Sequence, residues 1–472
     1  MTARRRPGAS GAGGAAVLPA RRPGAPTSAA LVDRAPRPAR PTVHEDDGST
    51  RTGRPGASPA EVALAAVTTF IAPISGLGGL GTGFVSLGLL AAAAFAPVLA
   101  RRAFDTRGLT VLTLAFVACV PAGALLALVP SPGDMPRTSN WTLWLTLPLG
   151  AALTVVVVRY AVRTIGVRWT ALAYAAGTIA QVLLTEAPRL SDPWWIKTRL
   201  SWPLVLAILA LVYRARRPWY SLVALLACLA VAVLGEYRSL MIFLAAGALL
   251  TWVLRRTVRR RLTAARVLGL GLAIAAAVLV LYQAFAWAAL SGRLGEEISL
   301  RSQRQVALGG TLLAGARIET PATLALMAER PLGFGPGFVP GARQAEIVLG
   351  ALQSASSDEA VASYVHRYIL GDPVRLHSLF GDLWFLFGVV GLVTVGAVLF
   401  VMAQATVAWY GAATRQLLPI VFLIWMAWDV VFSPAYSNLL SVAFLAALLA
   451  PAQDTGARDH PTTAPRATGR RR

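Results

Sequence analysis

Residues 378–402 read SLFGDLWFLFGVVGLVTVGAVLFVM, an apolar run that carries a single charge, Asp382. About 20 predominantly apolar residues suffice to carry an α-helix across a hydrocarbon core of about 30 Å, so this stretch predicts a transmembrane helix. Working outward, about twelve apolar stretches reach or approach that length. They lie near 59–76, 82–100, 108–130, 141–158, 168–186, 201–213, 219–235, 238–254, 267–289, 378–402, 416–433 and 436–450, the sixth and the last being short. Of the 472 residues, 56% are apolar and 14% charged, and the mean hydropathy is +0.60. Soluble domains carry about 25% charged residues. This composition excludes a soluble enzyme, a small secreted domain and a disordered chain. The expected fold is all-α: a polytopic integral membrane helix bundle of the cell (plasma) membrane, in contact with membrane lipids.

The basic excess, 44 Lys+Arg against 22 Asp+Glu, would suit a nucleic-acid binder if the charges formed one patch. They do not. They occupy two tails and short runs between apolar stretches, the pattern of cytoplasmic connections in a multi-pass protein, so no nucleic-acid partner is expected. Residues 1–58 hold ten arginines against Asp33, Glu45, Asp46 and Asp47, with no apolar period, and residues 451–472 end in Arg470, Arg471 and Arg472. Both tails read as disordered and cytoplasmic. Cys119 and Cys228 lie inside apolar stretches, which leaves no disulfide framework and no cysteine zinc site.

One alternate set of connections contains Arg101, Arg102 and Arg107, then Arg159, Arg163 and Arg168, then Arg214, Arg216 and Arg217, then the run from Arg255 to Arg261. The other set contains Asp134 with Arg137, then Glu186, Arg189, Asp192, Lys197 and Arg199; its long member, 291–377, balances eight arginines with eight acids. The positive-inside rule puts both termini in the cytoplasm and 291–377 outside. The resulting organisation is a nine-span bundle at 59–290, an extracytoplasmic loop at 291–377 and a three-span bundle at 378–450. Within the loop, Thr320-Pro321 reads as an N-cap and first helical position with Pro331 closing that helix, and Ser356 with Glu359 as a capping box. Val361, Tyr364, Val365 and Tyr368 form one apolar face of the second helix.

Several motifs have ordinary explanations. Gly76-Leu77-Gly78-Gly79-Leu80-Gly81 fits a dinucleotide fingerprint but sits between two spans with no strand before it. His44 and His460 are in the tails, and His366 is on the polar side of its helix. Asp429 lies within an apolar span near its outer end; intramembrane acids are functional candidates, and a helix-packing hydrogen bond is as good an account. His377 stands where the outer loop re-enters the membrane, in Arg375-Leu376-His377-Ser378, followed after nine residues by Gly388-Val389-Val390-Gly391.

That last pattern resembles the signature of the O-antigen ligase and O-unit polymerase superfamily, polytopic glycosyltransferases of GT-C type. Two further pieces match in the expected order. Gly235-Glu236-Tyr237-Arg238-Ser239 is similar to the family's membrane-edge Ser-Arg motif, with Arg238 as its arginine. Gly315-Ala316-Arg317, followed by Arg330-Pro331-Leu332-Gly333-Phe334-Gly335-Pro336-Gly337, is similar to the loop arginine and its glycine-rich turn. The resemblance covers roughly 220–450. Tyr237 replaces the usual small residue, Ser378 the commoner Asn, and Leu386 occupies the region of an acid often found before the first signature glycine. Either Asp382 substitutes for that acid or the chemistry does without one.

The resemblance implies transfer of an oligosaccharide or polysaccharide from a polyprenyl-diphosphate carrier to a hydroxyl of a glycan, lipid or protein acceptor at the outer face. The residue chemistry agrees. Arginine binds phosphate oxygens bidentately, which suits Arg238 and Arg317 to the diphosphate. A histidine of near-neutral pKa suits His377 to taking the proton of an acceptor hydroxyl. Asp382 and Asp429 are supporting candidates. No Asp-x-Asp pair or ligand cluster marks a metal site, and no cofactor is expected. Ligase and polymerase both remain open, with the single large outer loop leaning toward ligase. The rival of another class is a twelve-span secondary transporter, which would place its polar residues at the midplane rather than at the outer edge. A polyprenyl-monophosphate sugar transferase would need acids in the first outer loop, and Ser75 to Gly83 has none.

Overall fold

The computed structural model describes residues 57–74, 90, 93–104, 106–128, 141–185, 191–215, 217–257, 279–280, 282–293, 295–309, 312, 319–352, 359–371, 374–412 and 416–451. Both tails, the Gly76–Gly81 run, most of 82–100 and 267–289, Ser356 and Arg317 therefore lie outside the described residues. Among those described, every regular element is helical. The part before the long connection comprises α1 (Pro59–Ile71), α2 (Ala96–Ala103), α3 (Arg107–Leu128), α4 (Trp141–Thr185), α5 (Pro193–Trp195), α6 (Ser201–Leu211), α7 (Pro218–Leu234) and α8 (Arg238–Thr257). The long connection contributes α9 (Glu296–Gly309), α10 (Glu319–Glu329), α11 (Ala342–Ala351) and α12 (Glu359–Tyr364), and α13 (Leu379–Ala412), α14 (Leu417–Phe432) and α15 (Ala435–Leu449) close the bundle. Single-turn π-helices follow α5 and α12, at Ile196–Leu200 and Val365–Ile369.

Four stretches are long and apolar enough to cross a membrane: Arg107–Leu128, Trp144–Thr185, Pro193–Leu211 and Leu379–Trp409. Several crossings mark a multi-pass membrane protein. Five more apolar helices, Pro59–Ile71, Trp219–Leu234, Arg238–Leu254, Leu417–Phe432 and Ala435–Leu449, have 10–17 residues each. The short stretch expected at 201–213 gains length because Asp192 caps a turn at Pro193, accepting from the Trp194 N–H at 2.9 Å, and the chain runs on helically through the π-turn. The two spans expected at 141–158 and 168–186 are two helical pieces of α4, 141–165 and 167–185, parted at Gly166, where φ is 83° and ψ 165°. Arg159 and Arg163 of the connection between them lie within the first piece.

Contacts sort the helix ends into two sets. At one, the fully buried Arg159 donates to the carbonyls of Ala450 and Pro451, both at 2.9 Å, and so neutralises the carbonyl end of α15. Tyr213, beside Arg214, meets Trp409, whose indole N–H donates to Leu449 at 2.7 Å. At the other, Leu145 and Phe387 close over Gly123, Tyr237 packs edge-on against Trp425, and Asp382 reaches Ala435. The first set gathers arginines from the basic connections. The second receives the 319–377 segment, which has a hydrophobic core of its own: Leu326, Phe334, Val348, Val365 and Ile369 bury together with Trp384 and Phe385 of α13.

Candidate functional site

The glycine-rich turn and the glycine pair of the signature are one structure. α13 breaks at Gly388, with φ 59° and ψ −137°, so the expected continuous span 378–402 is two helical pieces, 379–387 and 389–412. A break leaves carbonyls without helical partners. The Phe385 carbonyl instead accepts the N–H groups of Phe334 and Gly335, each at 2.9 Å, and the Trp384 indole donates to the Pro331 carbonyl at 2.9 Å. Gly333, at φ 87°, lies against Gly388 and the Trp384 carbonyl, while Gly388 lies against the Leu332 carbonyl. A Cβ at either position would collide with backbone. The turn after α10 is thereby locked onto the start of the last three helices.

His377 occupies the corner just before that lock. Its φ of 48° is left-handed, a conformation uncommon for residues other than glycine. Ser378, not His377, caps α13, its Oγ accepting the Gly381 N–H at 2.9 Å. Asp382 is buried and divides its oxygens: Oδ1 accepts from Leu376 N–H at 2.8 Å and Oδ2 from Ala435 N–H at 2.7 Å. The acid considered as a supporting group is thus a backbone clamp that ties the residue before His377 to the first residue of α15. His377 itself is half-buried, with Nε2 shielded from solvent.

α10 begins at Glu319, ahead of the expected Thr320-Pro321 start. Pro321 still fits, because the first helical turn has no backbone acceptor for its missing N–H. Glu319 is buried, accepts a short hydrogen bond from the Tyr364 hydroxyl, and is near enough to act electrostatically on Asp382. Thr323 lies beside Gly381. The first turn of α10, which follows Arg317 by two residues, therefore packs on the His377 corner. His366 is exposed on the far side of the second loop helix, while Val365 and Ile369 are buried.

Arg238 opens α8 and is half-buried. It follows a tight turn in which Glu236 adopts φ 48° and the Tyr237 N–H reaches the Ala232 carbonyl at 2.8 Å. Tyr237 stands edge-on to Trp425 with centroids 5.9 Å apart, and the Lys197 ammonium lies 5.5 Å from the tyrosine ring. A small residue could make neither contact. Asp429 acts electrostatically on Tyr237 and accepts from Ser433 Oγ at 2.6 Å, on the corner that leads to Ala435.

Arg238, Asp429, Asp382 and His377 thus share one end of the bundle, linked through the corner between α14 and α15. Among them the corner joins Asp382 directly to the His377 turn. Sequence reading missed Glu319, the Tyr364 hydroxyl and the aromatic setting of Lys197; that Lys197 is the one lysine of the chain was the only signal. Among the described residues, no three His, Cys, Asp or Glu side chains are grouped to hold a metal ion. The chain matches no protein-family profile and no curated protein.

Proposed function

We propose that this chain is a glycan transferase of the O-antigen ligase and O-unit polymerase type, with about twelve spans, cytoplasmic termini and its site on the extracytoplasmic face. The observation that carries this reading is the His377 corner: a histidine held at a strained φ by the Asp382 clamp, beside the loop segment that follows Arg317 and at the same bundle end as Arg238. The separation of Arg159 and Arg214 to the opposite end supports the orientation. In the reaction, His377 takes the proton of an acceptor hydroxyl as its oxygen attacks the anomeric carbon of the lipid-linked glycan. The bond from that carbon to the diphosphate oxygen breaks, and Arg238 and Arg317 hold the departing polyprenyl diphosphate. Ligase action is preferred to polymerisation on the single large outer loop.

The test is single-turnover transfer from a lipid-linked glycan by detergent-purified protein. His377→Ala should slow the chemical step by roughly 10²–10⁴-fold with donor binding retained. Normal transfer by His377→Ala, or an equal defect in the exposed control His366→Ala, would reduce the signature to a structural helix start.

A further inference from the structure

Two residues before His377, Arg375 is half-buried and its guanidinium lies over the ring of Tyr436, 5.3 Å from the centroid. The pairing follows from the clamp. Asp382 ties the Leu376 and Ala435 amides to one carboxylate, so their neighbours Arg375 and Tyr436 are brought together. The Arg375 main chain is fixed as well, its N–H reaching the Ile369 carbonyl at 2.9 Å. A guanidinium carries five N–H donors in its plane, and the tyrosine ring offers them no carboxylate or carbonyl acceptor. Among the described residues, no carboxylate forms an ion pair with Arg375 and no acceptor bonds its guanidinium. Arg375 also acts electrostatically on Asp382, whose two oxygens already accept backbone N–H groups. An arginine placed on an aromatic ring beside the residue assigned as the base, with no hydrogen-bond acceptor among the described residues, can receive an anion.

We propose that Arg375, held on Tyr436, is an additional phosphate-binding residue of this site and contacts the diphosphate of the lipid-linked donor. The inference rests on the transferase reading above, but it has its own test. Polyprenyl diphosphate in detergent micelles is titrated into wild-type protein and into Arg375→Ala, Arg375→Lys and Arg238→Ala, with inorganic pyrophosphate as competitor and melting temperature as the fold control. Arg375→Ala should weaken binding by roughly tenfold to a hundredfold, the value of a hydrogen-bonded charged group. Arg375→Lys should recover part of it, since an ammonium keeps the charge without the fork. Pyrophosphate competition that falls with the same substitution puts the contact on the diphosphate itself; a loss seen only with the lipid form puts it on the membrane-held headgroup. Both support the assignment. Unchanged binding in Arg375→Ala alongside a loss in Arg238→Ala would overturn this inference and leave the transferase reading standing. No binding by wild-type protein would overturn both. Should Arg375→Ala melt early, Arg375→Lys decides: full wild-type affinity in that variant would also refute a bidentate contact.

Discussion

A histidine at a helix start usually earns its place by capping, and here Ser378 does the capping instead. His377 sits one residue earlier at φ 48°, a conformation that costs about 1–3 kcal/mol for a side chain other than glycine. His377→Gly separates the two roles. It should leave melting unchanged or raise it, by up to about 1 kcal/mol in unfolding free energy, while abolishing transfer. A glycine variant that transfers normally would show that the imidazole has no chemical part. Asp382→Asn tests the clamp. An amide retains one acceptor oxygen and sets an NH2 against the second backbone N–H, so it should cost about 1–3 kcal/mol. Transfer should fall with it, because the His377 corner loses its tie to Ala435. The proposed mechanism gives the diphosphate to arginines rather than to a metal ion, so transfer should also survive EDTA. Activity lost on chelation and restored by one divalent ion would contradict that.

At the scale of elements, the joint between the Pro331–Gly337 turn and the break in α13 decides whether the site exists. Gly388→Ala places a methyl against the Leu332 carbonyl and forces an L residue to φ 59°. It should destabilise the detergent-solubilised protein by at least about 2 kcal/mol and reduce transfer together with stability. A melting temperature equal to wild type would refute the joint. The sequence made the glycine pair visible, but not its reason. The apolar run from Leu383 to Met402 is unbroken, so hydropathy cannot register a helix break made by one glycine's dihedral angles. The Trp384 partner, Pro331, and the distant Asp382 partner, Ala435, are each 53 residues away, beyond any local pattern. What was legible was local. The apolar runs located α3, α7, α8, α14 and α15. Glu319 gave no signal, since burial of a loop acid depends on Tyr364, far along the chain.

For the whole molecule, orientation carries the argument. His377 and Arg238 lie at one bundle end, with Arg159 and Arg214 at the other, and the proposed orientation, taken from the arginine bias, puts the first of these ends outside. Single cysteines at Ala342, exposed at the start of α11, and at Thr263, beside the Arg255–Arg261 run, should label oppositely in a background lacking Cys119 and Cys228. An impermeant thiol reagent on intact cells should reach only the first. Equal labelling of both would remove the shared outer face on which the site depends. The most direct measurement is made in cells. The gene is deleted and restored as wild type or as His377→Ala at matched membrane levels, and both surface glycans and their polyprenyl-diphosphate precursors are quantified. The expected result is that deletion and His377→Ala alike accumulate the lipid-linked glycan and lose its mature surface product, while wild type restores both. Unaltered glycans and precursors in the deletion strain, or full restoration by His377→Ala, would contradict the assignment of glycan transfer to this site.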